Sequence, residues 1–440
     1  MSKSRRTVSL RFPDISLEHT WNIDDLPWSI FSQPSKKKYY YDLVTNLDED
    51  LVAAIQPHIG DVSVTQPESN RKIHQASASA FLYLFLSLGS QCSAPCIYTL
   101  RSTIPIGAGL GSSASIAVCL SAALLLQIRA LSGPHPDQPH NESALQIERV
   151  NRWAFVGELC IHGNPSGVDN TVSSSGKAVL FQREDYSKPP TVKPLHAFPE
   201  LPLLLVNTCQ SRSTSAQLAK VSALKRSQPR LSELLLSTIQ SVTQEAHNLI
   251  VGNNFNSSDP DALERLGELI TINHGLLVSL GVSHPKLERI RALIDHVGVG
   301  WTKLTGAGGG GCAITVLKSV ADVNTENGDI KSKTQKNIAS LKSRLKDEGF
   351  ESYETTLAGD GVGVLWPAVL QNGRGEDNQG GEEIDQEKFL TAEGPEGIEA
   401  LVGVARLNNR ESSRELLSNG MRNGHDSCGS TREGWRFWRA

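Results

Sequence analysis

At 440 residues, with 39% hydrophobic residues and 37 glycines, the chain is long enough for two or three domains and apolar enough to bury a core, which excludes a fully disordered chain. The 43 Lys and Arg against 47 Asp and Glu leave a formal charge of −4, too balanced for a whole-protein binder of nucleic acid or membrane surfaces, so the expected partner is small. Seven cysteines (Cys92, Cys96, Cys119, Cys160, Cys209, Cys312 and Cys428) lie scattered without CxxC pairing, which suits a reduced, cytoplasmic protein without structural zinc.

The basic start leads straight into Thr7-Val8-Ser9-Leu10-Arg11-Phe12, whose alternation predicts a strand and no signal peptide, and Pro13-Asp14 ends it. Lys36, Lys37 and Lys38 read as a solvated loop or helix end. A Leu-rich stretch without Gly or Pro, Ala76 to Leu88, predicts a buried helix, and a strand follows from Ile97 to Ile104. After a glycine turn from Gly107 to Gly111, a helix is predicted from Ser112 to about Leu131, then a Pro/His loop from Gly133 to Asn141 and a helix from Asn151 to Ile161. The longest apolar runs, Ala80 to Leu88 and Ala114 to Ile128, fall short of the ~18 residues a membrane span needs. Strands are expected from Ala178 to Gln182 and from Leu201 to Val206. Thr214 to His296 reads as nearly continuous helix, broken at Pro229, Gly252 to Pro260, and Gly281 to Pro285. A second α/β unit follows: Trp301 to Thr305, the loop Gly306 to Gly311, strand Cys312 to Leu317, helix Lys336 to Asp347, and strands Tyr353 to Ala358 and Gly361 to Leu365. Pro367 marks a boundary. From Gln371 onward, 11 of the 37 glycines and two acidic clusters predict a loosely ordered tail, interrupted by apolar islands at Ile398 to Val404 and Trp435 to Trp438.

Three segments carry chemistry. In Gly107-Ala108-Gly109-Leu110-Gly111-Ser112-Ser113, the glycines bring backbone N–H groups against an anion, and the helix starting at Ser112 aims its positive end at the same place. It is not a Walker loop, which needs a Lys that does not occur between Arg101 and Arg129. Nor is it a Rossmann fingerprint, which would need Gly at position 112. A plain glycine turn capped by Ser112 fits the same residues. Beside bound phosphates, Ser113 is a candidate ligand for Mg2+. Glu158, on the predicted helix, and Asp169, after the turn Gly163 to Val168, can divide labour between holding a cation and receiving a hydroxyl proton, although lone acids at helix ends are usually solvated. In Lys303-Leu304-Thr305-Gly306-Ala307-Gly308-Gly309-Gly310-Gly311-Cys312, four consecutive glycines imply close approach by another backbone or a ligand, or else a flexible hairpin.

Together, GAGLGSSAS, HGNPSGVDN and KLTGAGGGGC resemble the second motif, catalytic-acid segment and third motif of the GHMP small-molecule kinases, in the filamentous-fungal form of the branch that acts on mevalonate. The resemblance implies a two-lobed α/β (α+β) fold: an N-terminal lobe, residues 1–200, related to a ribosomal-protein-like domain; a ferredoxin-like C-terminal lobe, residues 201–367; and a tail, residues 368–440. It implies transfer of the ATP γ-phosphate to the primary hydroxyl of (R)-mevalonate, as in isoprenoid and sterol synthesis, with Asp169 facing that hydroxyl and Ser113 and Glu158 holding Mg2+. It also implies that Asp14, Ser102, Gly107 to Ser113, Gly308 and Gly309 line the ATP site, that Asn207, Thr208 and Thr214 lie on the substrate side, and that the protein is a cytoplasmic homodimer without nucleic-acid or membrane partners. Relatives often carry a basic residue where this chain has Cys209. The family's first motif, approximately PGKVxxxGEHxVVxG, has no counterpart in the sequence. The resemblance therefore implies an N-terminal lobe lacking its first part, with a truncated, non-catalytic remnant as the alternative reading. A sister kinase acting on phosphomevalonate, homoserine or galactose ranks lower, and a dinucleotide oxidoreductase lower still.

Overall fold

The computed structural model describes residues 6–439 except 107, 136, 184–189, 211–212, 253–254, 258, 319–328, 367–368, 371–381 and 403–434. Alternation makes β1 (Thr7–Phe12) a strand that buries Val8, Leu10 and Phe12 on one face. It pairs antiparallel with β2 (Leu17–Asn22), Phe12 opposite Leu17, across a tight turn in which Ser16 takes a left-handed conformation at φ 57°. Next come α1 (Trp28–Phe31), α2 (Glu49–Gly60) and α3 (Glu68–Leu88), and then β3 (Cys96–Thr99), which lies parallel to β1. The predicted strand to Ile104 stops early because the Ser102 N–H turns away to the Asp14 carboxylate at 2.8 Å. Lys36, expected to be solvated, is instead held by Asp48, the residue that caps α2.

The lobe continues with α4 (Ser112–Gln127), α5 (His140–His162), α6 (Val168–Ser175) and the hairpin β4 (Ala178–Gln182) and β5 (Thr191–Leu195). Helix α4 ends short of Leu131 because Arg129 adopts φ 58°, which lets the Ala130 N–H close onto the Leu125 carbonyl at 2.9 Å.

The second lobe runs β6 (Leu201–Asn207), α7 (Thr214–Ser227), α8 (Pro229–Val251), α9 (Pro260–Ser279), α10 (Pro285–Val297), β7 (Gly300–Leu304), β8 (Cys312–Leu317), α11 (Asp329–Asp347) and β9 (Glu351–Leu357). Each break read from proline is a helix start, where the missing N–H costs nothing. The four strands form an antiparallel sheet in the order β7-β8-β6-β9, the ferredoxin-like arrangement. Leu204, Val206, Leu304 and Ala313 of this sheet join Ile290, Leu293, Leu341 and Leu345 in one core.

Beyond it lie β10 (Gly363–Leu365), β11 (Val369–Leu370), β12 (Glu382–Glu383), α12 (Gln386–Thr391), α13 (Gly394–Val402) and β13 (Trp435–Phe437). Strand β13 pairs with β10, and Trp438 is buried in the first lobe, its indole N–H donating to Gln146 Oε1 at 3.0 Å. The rest of the segment read as a loose tail lies outside the described residues. Among the described residues the cysteines form no disulfide and no helix is long and apolar enough to cross a membrane; Cys428 lies outside them.

Candidate active site

The first glycine loop and the acid pair converge. Gly111, at φ 75°, stands before α4 with no side chain capping the helix, so Ser112 is not the cap. Gly167, at φ 79°, opens α6 in the same way, and Asp169 follows in its first turn, where the helix dipole favours a carboxylate. The two helix starts meet: a Cβ at Gly111 would stand 3.3 Å from the Asp169 Cβ and Cγ. Asp169 itself is exposed, its carboxylate at the mouth of the loop. Ala108 is buried, Gly109 exposed, and Leu110, Ser112 and Ser113 partly buried; Gly107 lies outside the described residues.

Glu158 reaches this point from α5. Gly157 before it allows α5 to approach α4, since a Cβ there would come within 2.9 Å of the Ala117 Cβ. Glu158 is 4% exposed, and its Oε1 is buried without a hydrogen-bond partner. Burial pushes its carboxyl above the ordinary value and the nearby Asp169 charge adds to the rise, while the Ser113 hydroxyl and His162 pull it down. His162 Nε2 shares a hydrogen bond with Ser113 Oγ at 3.1 Å and lies 4.0 Å from Glu158 Oε2. Its role was not read from sequence, although the i, i+4 spacing from Glu158 puts both on one helix face.

This donor set fits a divalent cation that prefers oxygen. A buried carboxylate oxygen without a partner lies beside a serine hydroxyl, the two oxygen donors that would hold such an ion beside bound phosphates. Because folding raises the Glu158 pKa, its ionisation weakens the fold as pH rises from the ordinary carboxylate range through the folded value. Glu158→Gln is therefore expected to melt at the same or a higher temperature in metal-free buffer at pH 7; with Glu158 read as a Mg2+ ligand, the Mg2+ concentration for half-maximal rate is expected to rise about tenfold or more, ~1.4 kcal/mol. Paired thermal melts and Mg2+ titrations check this; a destabilised variant with an unchanged Mg2+ requirement contradicts it.

The second glycine loop owes its composition to neighbouring protein. A Cβ at Gly308 would lie 2.0 Å from the Val282 carbonyl oxygen, and one at Gly309 would lie 2.2 Å from Gln217 Nε2. The Gly309 N–H donates to Val282 O at 2.7 Å, and the Thr208 hydroxyl and N–H both reach Gly311 O, at 2.7 and 2.9 Å. Cys312 Sγ contacts the Ala108 carbonyl at 3.9 Å, which joins the two glycine loops across the lobes.

The other sequence-derived residues occupy two further places. Asn207 donates to Glu351 at 3.0 Å and Thr208 is fully buried, so both are engaged within the second lobe; Thr214 is exposed at the start of α7. Asp14 and Ser102 are bonded to each other, and Asp14 also pairs with Arg101 at 3.1 Å, a partner sequence reasoning did not single out.

Residues 77–177 match the GHMP kinases N terminal domain and residues 261–329 the GHMP kinases C terminal family. The chain is 62% identical over 439 residues to a mevalonate kinase of Gibberella zeae, covering 100% of this chain and 80% of that protein. It is 61% identical over 439 residues to a mevalonate kinase of Aspergillus fumigatus, covering 100% and 75%. Among solved structures, L. major mevalonate kinase in complex with R-mevalonate superposes with a TM-score of 0.50 at 24% identity, covering 68% of this chain and 81% of that one, a likeness of fold. Nothing in these matches favours a non-catalytic remnant. A chain so similar along its whole length to two mevalonate kinases, with both lobes matched, belongs to the mevalonate kinases of the GHMP kinase family.

Proposed function

We propose that this chain transfers the γ-phosphoryl group of ATP to the primary hydroxyl of mevalonate, with Asp169 as the residue that receives or orients the hydroxyl proton. The observation that carries the reading is the meeting of Asp169 with Gly111 at the uncapped start of α4. A phosphate held at the loop by the N–H groups at the start of α4 and a hydroxyl held by Asp169 would then be neighbours, which supplies proximity and orientation. The backbone donors and the helix dipole stabilise charge on the transferring group, the main source of rate in phosphoryl transfer. Gly308 and Gly309 support this side of the site by letting the second loop pack against Val282 and against Gln217 of α7, and Cys312 carries the contact on to Ala108.

Mg2+, when bound, neutralises charge on the phosphates. Ser113 and Glu158 would hold it, and His162, bonded to Ser113 Oγ, orients that hydroxyl. Asp14 and Ser102 are assigned to the nucleotide side, and Thr214, with Asn207 and Thr208 behind it, to the alcohol side. A homodimer would give partners to the exposed Leu218, Leu231 and Leu234 on α7 and α8. A cytoplasmic role in sterol synthesis completes the proposal.

A coupled ADP-release assay with mevalonate, phosphomevalonate, homoserine and galactose tests the acceptor. Mevalonate is expected to give the highest kcat/KM by about a hundredfold or more, since a site built to bond particular polar groups discriminates strongly against analogues lacking them. A preference for another alcohol overturns the assignment.

A further inference from the structure

Arg101 ties together three parts of the chain that are distant in sequence. Its side chain is 5% exposed, so its charge needs partners. Nε donates to Asp14 Oδ1 at 3.1 Å; the two terminal nitrogens donate to the carbonyls of Phe389 at 2.6 Å, Leu390 at 3.0 Å and Ala392 at 2.7 Å. Those carbonyls belong to the C-terminal end of α12 and the residue just past it, where helical carbonyls lack intrahelical partners and a cation is favoured. Asp14, on its other side, accepts the Ser102 N–H at 2.8 Å. Ser102 Oγ in turn donates to Ile104 O at 2.9 Å, fixing the turn that enters the glycine loop at Pro105.

We propose that Arg101 is a positioning residue for the nucleotide side of the site: the C-terminal end of α12 holds its guanidinium, which fixes Asp14 and, through Asp14, the Ser102 amide at the entrance to the glycine loop. Asp14 lies in the turn just after β1 and Ser102 follows β3, its parallel neighbour, so the clamp ties together the adjacent ends of the two strands, and the loop continues from the β3 side. The guanidinium is required for its geometry. Four acceptor groups surround its planar fork, and a lysine ammonium on a flexible stem cannot reach them together. A segment almost 300 residues downstream thereby acts on the loop without touching substrate.

The inference rests on the reading of Asp14 and Ser102 as nucleotide contacts, and two full-length variants test it. Arg101→Lys weakens the fork. Phe389→Pro removes the N–H that donates to Asp385 O at 3.2 Å, loosening α12 and leaving Arg101 in place. Each is expected to raise KM for ATP about tenfold, ~1.4 kcal/mol, with KM for mevalonate within about twofold. The double variant is expected to be no worse than the stronger single one, because both break the same link. Hydrogen exchange at the Ser102 amide is expected to accelerate in each. An unchanged KM for ATP, multiplying effects in the double variant, or kcat and both KM values shifting only in step with lost thermal stability overturns the proposal. If the unaltered chain does not turn over ATP with mevalonate, the functional reading falls. Exchange then decides the clamp by itself, and retained protection at Ser102 in Arg101→Lys overturns it.

Discussion

Asp169→Asn is expected to lower kcat by about 10²- to 10⁴-fold, the usual worth of a positioned proton acceptor, while KM for ATP changes less than about threefold. The substitution is nearly isosteric, and Asp169 is an exposed side chain packed by its Cβ and Cγ against Gly111, so the loop and the start of α6 should keep their shape. On the proposed reading, what is lost is the carboxylate's capacity to take the hydroxyl proton and to hold the hydroxyl in line with the phosphate. Steady-state kinetics with both substrates varied checks this. A kcat within about threefold of the unaltered protein would remove Asp169 from the chemistry.

Trp438→Ala is expected to destabilise the chain by about 3–5 kcal/mol, the range for emptying a large buried aromatic site. Trp438 is 1% exposed within the core of the first lobe, although it lies close to the C-terminal end of the sequence, and its loss also leaves Gln146 Oε1 without its indole donor. Urea titration should show a lower midpoint. Trp366, 73% exposed, is the matched control: Trp366→Ala should stay within about 0.5 kcal/mol. Equal effects from the two substitutions would mean that the segment carrying β13 contributes nothing to the first lobe's core.

Elements marked by strong local signals were legible in the sequence. The Cys312–Leu317 strand, the Ser112 start of α4 and the proline starts of α8, α9 and α10 are set by apolar run, glycine and ring geometry, which act over a few residues. The hairpin partner β2 and helix α2 went unread because polar residues interrupt their periodicity and tertiary packing decides their state. At the site, Ser113 and Glu158 could be placed because a helix start and a helix end position them locally, whereas α6, whose first turn carries Asp169, was read only as the end of a turn. The four-glycine run was correctly read as a close approach, but which neighbour approaches, Val282 and Gln217, depends on a lobe assembled from remote segments. Arg101 was silent for the same reason: its helix partner lies 288 residues away, and an isolated arginine after a strand resembles any surface cation.

The most direct test of the central claim is the fate of the phosphate when this 440-residue chain is incubated with ATP, Mg2+ and (R)-mevalonate and followed by phosphorus NMR. ADP and one new phosphomonoester on the primary hydroxyl are expected in equal amounts, with Asp169→Asn slowing both in proportion to its loss of kcat. ADP accompanied only by inorganic phosphate, or an ester at another oxygen, would contradict the claim.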